Sequence, residues 1–206
     1  NHTAQSRLVS LLEKDYPTLD EIEEAFNVEK VSKEFFENYK ELFLQLTEDL
    51  KNIRENEPSQ RINAEFTLKS IFDADFCKKL LGQLVFLYFI QKKGWLGVAR
   101  DKKWGEGDKQ FLRHTFERAI NEGKNFFNDY LEPLFYNALA NGERDDNWFG
   151  ELDCKIPFLN GGLFERYHDY DWVNTDIVFD NTIFSNNLWA ISDFASSFTS
   201  SSLSIS

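Results

Sequence analysis

Seven basic side chains, Lys92, Lys93, Arg100, Lys102, Lys103, Lys109 and Arg113, lie around two tryptophans, Trp95 and Trp104. Ammonium and guanidinium heads neutralise phosphate oxygens and indole faces stack on bases, so this mixture suits contact with DNA. The same residues have ordinary uses as well. Lysines at a helix C-terminus complement its dipole, and tryptophans of a folded chain are expected in its core. Other candidate chemistry is thinner. Asp153-Cys154-Lys155 has the letters of the tripeptide that metal-dependent nucleases use to place Mg²⁺ and polarise water, but it lacks the sheet context and is expected to be incidental. His168, Asp169 and Asp171 offer ligand atoms for a divalent ion, yet read better as a solvated acidic turn before Trp172. Asn160-Gly161-Gly162 would need a buried strand before it and a helix after it to hold a nucleotide-like cofactor, so a structural turn is expected. No serine, cysteine or histidine has a paired base, and no catalytic, cofactor-binding or metal-ligating residue is assigned.

Charge separates along the chain. The 206 residues carry a net charge of −12, distributed as −8 over residues 1–76, +6 over 77–124 and −10 over 125–206. A freestanding nucleic-acid binder is usually basic overall, so this chain alone is expected to bind DNA weakly, through its middle only. With 21 Phe, 7 Tyr and 5 Trp it has the composition of a packed globular interior. Cys77 and Cys154 stand apart from each other and from any Cys/His cluster, which points to neither a disulfide framework nor a zinc site and fits a reducing cytoplasm. The longest apolar run, Leu84 to Ile90, is far short of a membrane span, which needs roughly 20 residues. The chain begins at Asn1 and contains no methionine, as expected of an excised piece of a longer protein.

Helical periodicity organises most of the sequence. Thr18 and Glu21 form a capping box for a short helix ending near Asn27. Val31, Phe35, Tyr39, Leu42, Leu46, Leu50 and Ile53 then mark a long amphipathic helix, with Phe36 and Phe43 widening its apolar stripe. A polar stretch with Pro58 separates it from a second helical unit. Asp73 or Asp75 is expected to cap a central helix that is apolar on all faces between Leu84 and Ile90 and stops at Gly94. An irregular Gly- and Trp-rich segment follows. Asp108 is expected to cap a helix to about Ile120, and Asn125 to start another that Pro133 kinks or divides before Gly142. Residues 143–187 read as loops with short strands, among them the alternating DIVFDN of 176–181. The tail from Ser192 to Ser206 is more than half serine. The expected fold is mainly α, a multi-helix bundle with a loop-rich C-terminal part carrying short β-strands. Its parts are an N-terminal arm over 1–60, a helical core over 61–142 and a C-terminal segment over 143–206, all within one domain.

Ordered blocks carry a resemblance. NVEKVSKEFFENYKELF (27–43), QLVFLYFIQKKGWLGV (83–98), NFFNDYLEPLFYNALA (125–140) and CKIPFLNGGLFE (154–165) together resemble the helical region upstream of the methyltransferase domain in type II restriction enzyme/adenine-specific DNA methyltransferase fusion proteins. The resemblance implies a connector between a nuclease module and a methyltransferase module. The parent would methylate adenine N6 in double-stranded DNA, with S-adenosylmethionine and Mg²⁺ as its cofactors, and could also cleave; the connector would hold neither cofactor. It places such an enzyme in the bacterial cytoplasm, in restriction-modification or phage defence. A freestanding helical module that binds a protein through the long helix at 28–55 is the second reading.

Overall fold

Steps of three and four between apolar residues place Tyr39, Leu42, Leu46 and Leu50 on one face of a helix, and all four are fully buried. The computed structural model describes residues 33–58, 60–159 and 161–185, with this helix, α1, at Lys33–Asn56. The expected short helix at 18–27 and the serine-rich tail lie outside the described residues. Each buried side chain of the stripe contributes on the order of 1.5–3 kcal/mol relative to exposure. The stripe is spent inside the chain, against the α2–α3 unit, rather than left for a partner.

Helix α2 (Arg61–Leu68) is short and turns the chain back towards α3 (Asp73–Lys92). Thirteen of the twenty α3 residues are buried, so the helix has almost no solvent face and other elements must surround it. Phe72, not Asp73 or Asp75, occupies its N-cap position. Both aspartates sit in the first turn, where they complement the helix dipole and bond sideways: Asp73 pairs with Arg54 of α1, and Asp75 with Lys78 at 3.1 Å. Arg54 also donates to Asn63 Oδ1 at 2.9 Å and lies over the Phe66 ring, joining the first three helices at one corner. The C-terminus of α3 closes as expected at Gly94. Gly94 N–H donates to Gln91 O and Trp95 N–H to Ile90 O, with Gly94 at φ +70°, which are the two bonds of a Schellman cap.

Helix α4 (Phe111–Asn121) starts three residues after Asp108. Asp108 spends its side chain on the Gln110 amide (2.8 Å) and on His114 (2.5 Å), an Asx turn ahead of the helix instead of a cap on it. Asn125 does start the next helix, its Oδ1 accepting the Asn128 amide at 2.9 Å. Pro133 neither stops nor divides that helix. The backbone stays helical at Pro133 (φ −59°, ψ −39°), with π-helical turns at Phe127–Leu131 and Leu134–Leu139 on either side. Wider i→i+5 turns, such as Ala140 N–H to Phe135 O at 2.9 Å, let the helix pass a residue that has no N–H to give.

From residue 140 to 185 the chain is mostly loops, with 3₁₀ turns at Asp145–Asn147 and Tyr167–Asp169, a helical turn at 181–185 and a two-stranded antiparallel ladder, β1 (Trp148–Phe149) and β2 (Cys154–Lys155), extended by a bridge from Lys155 to Val98. Arg144 holds this region together. Its guanidinium donates to the carbonyls of Ala138, Asn147 and Ile156, all at 2.5–2.7 Å, and so satisfies the end of the π-helical turn and the start of the hairpin at once. The expected strand at 176–181 forms no ladder. Its alternation is real, with Ile177 and Phe179 buried and Val178 exposed, but its polar groups go to helices: Asp180 N–H to Asp49, and Phe179 O from Asn125. One continuous cluster of buried residues runs from Tyr39 to Phe184. Cys77 and Cys154 are free thiols in it, each pushed up to about 12 by burial.

Leu84 is fully buried at the centre of α3, whereas Leu44 on α1 is 54% exposed. Leu84→Ala is expected to lower unfolding free energy by about 2–5 kcal/mol in a urea titration. Leu44→Ala is expected to change it by less than about 0.5 kcal/mol.

Candidate nucleic-acid interface

The basic segment becomes a loop closed on itself. The carbonyl of Gly94 accepts the amides of both Gly105 (3.0 Å) and Gly107 (2.9 Å), and Leu96 O accepts Asp108 N–H at 2.8 Å. This approach leaves no room for a side chain: a Cβ on Gly94 would collide with the Gly105 carbonyl, and one on Gly107 with Leu96 O and Gly94 O. Leu96 and Val98 anchor the loop in the interior, and Val98 bonds Lys155 of β2 in both directions at 2.7 and 3.3 Å. Everything between Ala99 and Glu106 is exposed.

The seven predicted cations do not act alike. Lys93 follows α3 as its C-cap residue, and Lys102, Lys103 and Lys109 project from the loop; all four are exposed and their ammonium groups have no carboxylate partner among the described residues, although the Glu106 carboxylate accepts the Lys103 amide at 2.9 Å. Lys92 is half-buried in the last turn of α3. Arg100 lies flat over the Trp148 ring, 4.0 Å from its centroid, where it keeps its charge at the surface but is held in place. Arg113 stands apart on α4, where Glu117 takes it at 3.0 Å. The loop is therefore the centre of the positive region, with Arg113 at its partly neutralised margin.

The tryptophans depart from expectation. Trp95 is 44% exposed and Trp104 45% exposed, so neither is a core residue. They follow and precede the hydrogen-bonded glycines Gly94 and Gly105, so both flank the loop neck.

The other sequence candidates are drawn into structural roles. Gly162 O accepts the buried ammonium of Lys79 at 3.0 Å and Leu163 O accepts Gln83 at 2.9 Å, so the glycine pair belongs to a loop docked on α3. Cys154 is interior, Lys155 pairs with Asp146 at 3.1 Å, and Asp153 occupies a turn, which disperses that tripeptide. His168 Nδ1 meets Lys69 O at 2.8 Å, while Asp169 faces Arg166 and Asp171 accepts from Asn174. Among the described residues no group of three His, Cys, Asp or Glu is placed to hold a metal ion.

The polar cluster least visible in sequence is Glu132, Tyr170 and Tyr136. Glu132 is fully buried on the π-helical segment, accepts the Tyr170 hydroxyl with one carboxylate oxygen, and leaves Oε2 without a partner. Tyr136 OH lies 3.2 Å from Tyr170 OH. Burial first, and then the negative charges of Asp176 and Asp129, raise the Glu132 pKa well above the ordinary value of 4.5, outweighing the Tyr170 hydrogen bond. Burial likewise raises both tyrosines. A neutral carboxyl here satisfies the interior without a counter-charge. The spacing of Glu132 and Tyr136, four residues apart among the apolar residues Leu131, Leu134 and Phe135, was the available signal.

No family model matches the sequence, and no solved structure matches it. The chain is similar to a protein of Methanocaldococcus jannaschii named "Putative type II restriction enzyme and methyltransferase", with 29% identity over 154 residues, 66% of this chain. That stretch is 12% of the archaeal protein, so the chain corresponds to about an eighth of its length. The likeness relates the chain to restriction-modification proteins. Among the described residues no helix is long and apolar enough to cross a membrane.

Two measurements check this geometry. Gly107→Ala is expected to open the loop neck, seen as faster amide exchange at Gly105, Gly107 and Asp108 with α3 protection retained. For Glu132, the folded-state pKa is raised, so the stability given by its neutral form is complete below about pH 4.5 and is lost as pH rises through the folded value. Glu132→Gln removes that loss, and the melting-temperature difference between variant and parent is expected to grow as pH rises above about 4.5. A constant difference would mean that folding leaves the Glu132 pKa unshifted.

Proposed function

We propose that this chain is a helical connector of a restriction-modification enzyme and that its glycine-locked loop faces double-stranded DNA. The observation that supports it most directly is the loop itself: Lys93, Lys102, Lys103 and Lys109 are exposed and their ammonium groups form no ion pair among the described residues, in a chain whose flanking thirds are strongly acidic. Cations in that state release counterions when they meet phosphates, whereas paired ones gain little. The likeness to the archaeal protein favours DNA as the polyanion.

In this reading the parent methylates adenine N6 and can also cut DNA, in the cytoplasm, with its nuclease and methyltransferase modules on either side. S-adenosylmethionine would supply the methyl group and Mg²⁺ would assist cleavage. This reading assigns both cofactors to the remainder of the longer enzyme; the glycine pair of this chain is bonded to Lys79 through Gly162 O. The connector contributes rigidity and phosphate contact. An interaction module acting through the long helix is disfavoured by the burial of Tyr39, Leu42, Leu46 and Leu50 within the chain.

In the longer enzyme, the double variant Lys102→Glu/Lys103→Glu is expected to weaken duplex binding uniformly across sequences and to reduce the log–log salt slope by about 2, one for each phosphate that is no longer neutralised. An unchanged slope removes the loop from the interface. Methyl transfer from S-adenosylmethionine by the isolated chain would overturn the connector reading itself.

A further inference from the structure

We infer that the loop neck is a stacking platform for unpaired nucleobases, and that the chain prefers single-stranded DNA to duplex. This rests on the nucleic-acid reading of the same loop and adds to it the form of the substrate. Phosphate contact alone needs no aromatic residue, and an indole left 44% or 45% exposed loses apolar burial that a core position would provide. Two such indoles, Trp95 and Trp104, flank the Gly94–Gly105 hydrogen bond that closes the neck. Duplex DNA presents base edges in its grooves and keeps the base faces stacked; a single strand presents the faces, which is the surface an indole can cover.

The surroundings match that ligand. Lys93 adjoins Gly94, and Lys102 and Lys103 immediately precede Trp104, so cations border both indoles where a strand's phosphates would run. Arg100 over Trp148, 4.0 Å from its centroid, adds a further positive group at the same end of the fold through the Val98–Lys155 bridge. The loop neck is fixed by Gly94, Leu96, Gly105, Gly107 and Asp108 before any ligand arrives, so little backbone ordering is left for binding to accomplish. Base stacking on an aromatic is indifferent to base identity, so this surface holds unpaired DNA without reading its sequence.

Fluorescence anisotropy of end-labelled oligo-dT, ~16 nucleotides and thus at the upper size of one such binding unit, tests the inference with the intact chain at low salt against a duplex of equal length. The strand is expected to bind more tightly than the duplex. Trp95→Ala and Trp104→Ala are each expected to lower strand affinity about 5- to 100-fold, the effect of removing one stacked aromatic face, and to leave duplex affinity unchanged. Trp104→Phe keeps an aromatic face and should retain most of the binding, which a folding defect would not allow. Equal affinity for strand and duplex overturns the inference, as does strand affinity that survives both alanine variants, the result expected if the indoles instead pack on another part of the longer enzyme. If Lys102→Glu/Lys103→Glu still weakens duplex binding in that case, the connector reading stands and the preference for single strands alone fails.

Discussion

An α-helix that is apolar on every face has to be enclosed, and α3 imposes that condition on the whole chain. Its twenty residues contain too little polar surface to lie against water, so α1, α4, the π-helical segment and the loop 161–164 are all drawn around it. Enclosure creates a second demand. Lys79, Gln83 and Gln91 lie on the same buried helix, and each reaches a backbone group that would otherwise be unsatisfied: Gly162 O, Leu163 O and the Leu112 amide. The central helix thus fixes the position of its wrapping through a few directional bonds, while the apolar area supplies the driving force. The end of α3 is also where the glycine-locked loop begins, so the Schellman turn at Gly94 links a buried helix to a run of exposed cations.

A second constraint is electrostatic. The interior contains few charges, and those it does contain are handled in different ways. Arg144 keeps its charge by donating to carbonyls, though burial pulls its pKa down. Glu132 is raised towards neutrality and bonded by a tyrosine. At the surface the opposite device operates: Glu122, between Tyr130, Arg118 and Lys124, is held down to about 2. The ammonium groups of Lys102 and Lys103 form no ion pair among the described residues, and that contrast is the physical ground for proposing an external partner for them.

Much of the fold is legible in the residues. Period and capping residues define α1 from Tyr39 to Ile53, the stop of α3 at Gly94 and the helix start at Asn125, because each depends on local stereochemistry. Sequence and structure part where tertiary contacts decide. Asp73 has the position of a cap but is claimed by Arg54 of α1, and DIVFDN alternates like a strand yet meets helices instead of a sheet edge. Pro133 would interrupt a helix with the usual hydrogen-bond ladder, and a wider ladder accommodates it. Trp95 and Trp104 show the difference most clearly. Composition assigns tryptophan to a core, and Leu96 beside Trp95 is indeed buried, but only the closure of Gly94 on Gly105 and Gly107 shows that both tryptophans stay at the surface. The seven cations are recognisable as a group from their clustering, whereas Glu132 and Tyr170, far apart in the chain, are joined only by the fold.

The closed neck of the 94–107 loop also separates two kinds of selection. Residues below it, Leu96 and Val98 among them, answer to packing and tolerate little change. Residues above it, from Asp101 to Lys103, are exposed and joined to the rest through backbone bonds that do not depend on their side chains. Their identity can drift, and the tip can lengthen, at little expense in folding stability. A lineage that keeps the glycines therefore retains a fixed mount on which the contacting residues are free to diversify.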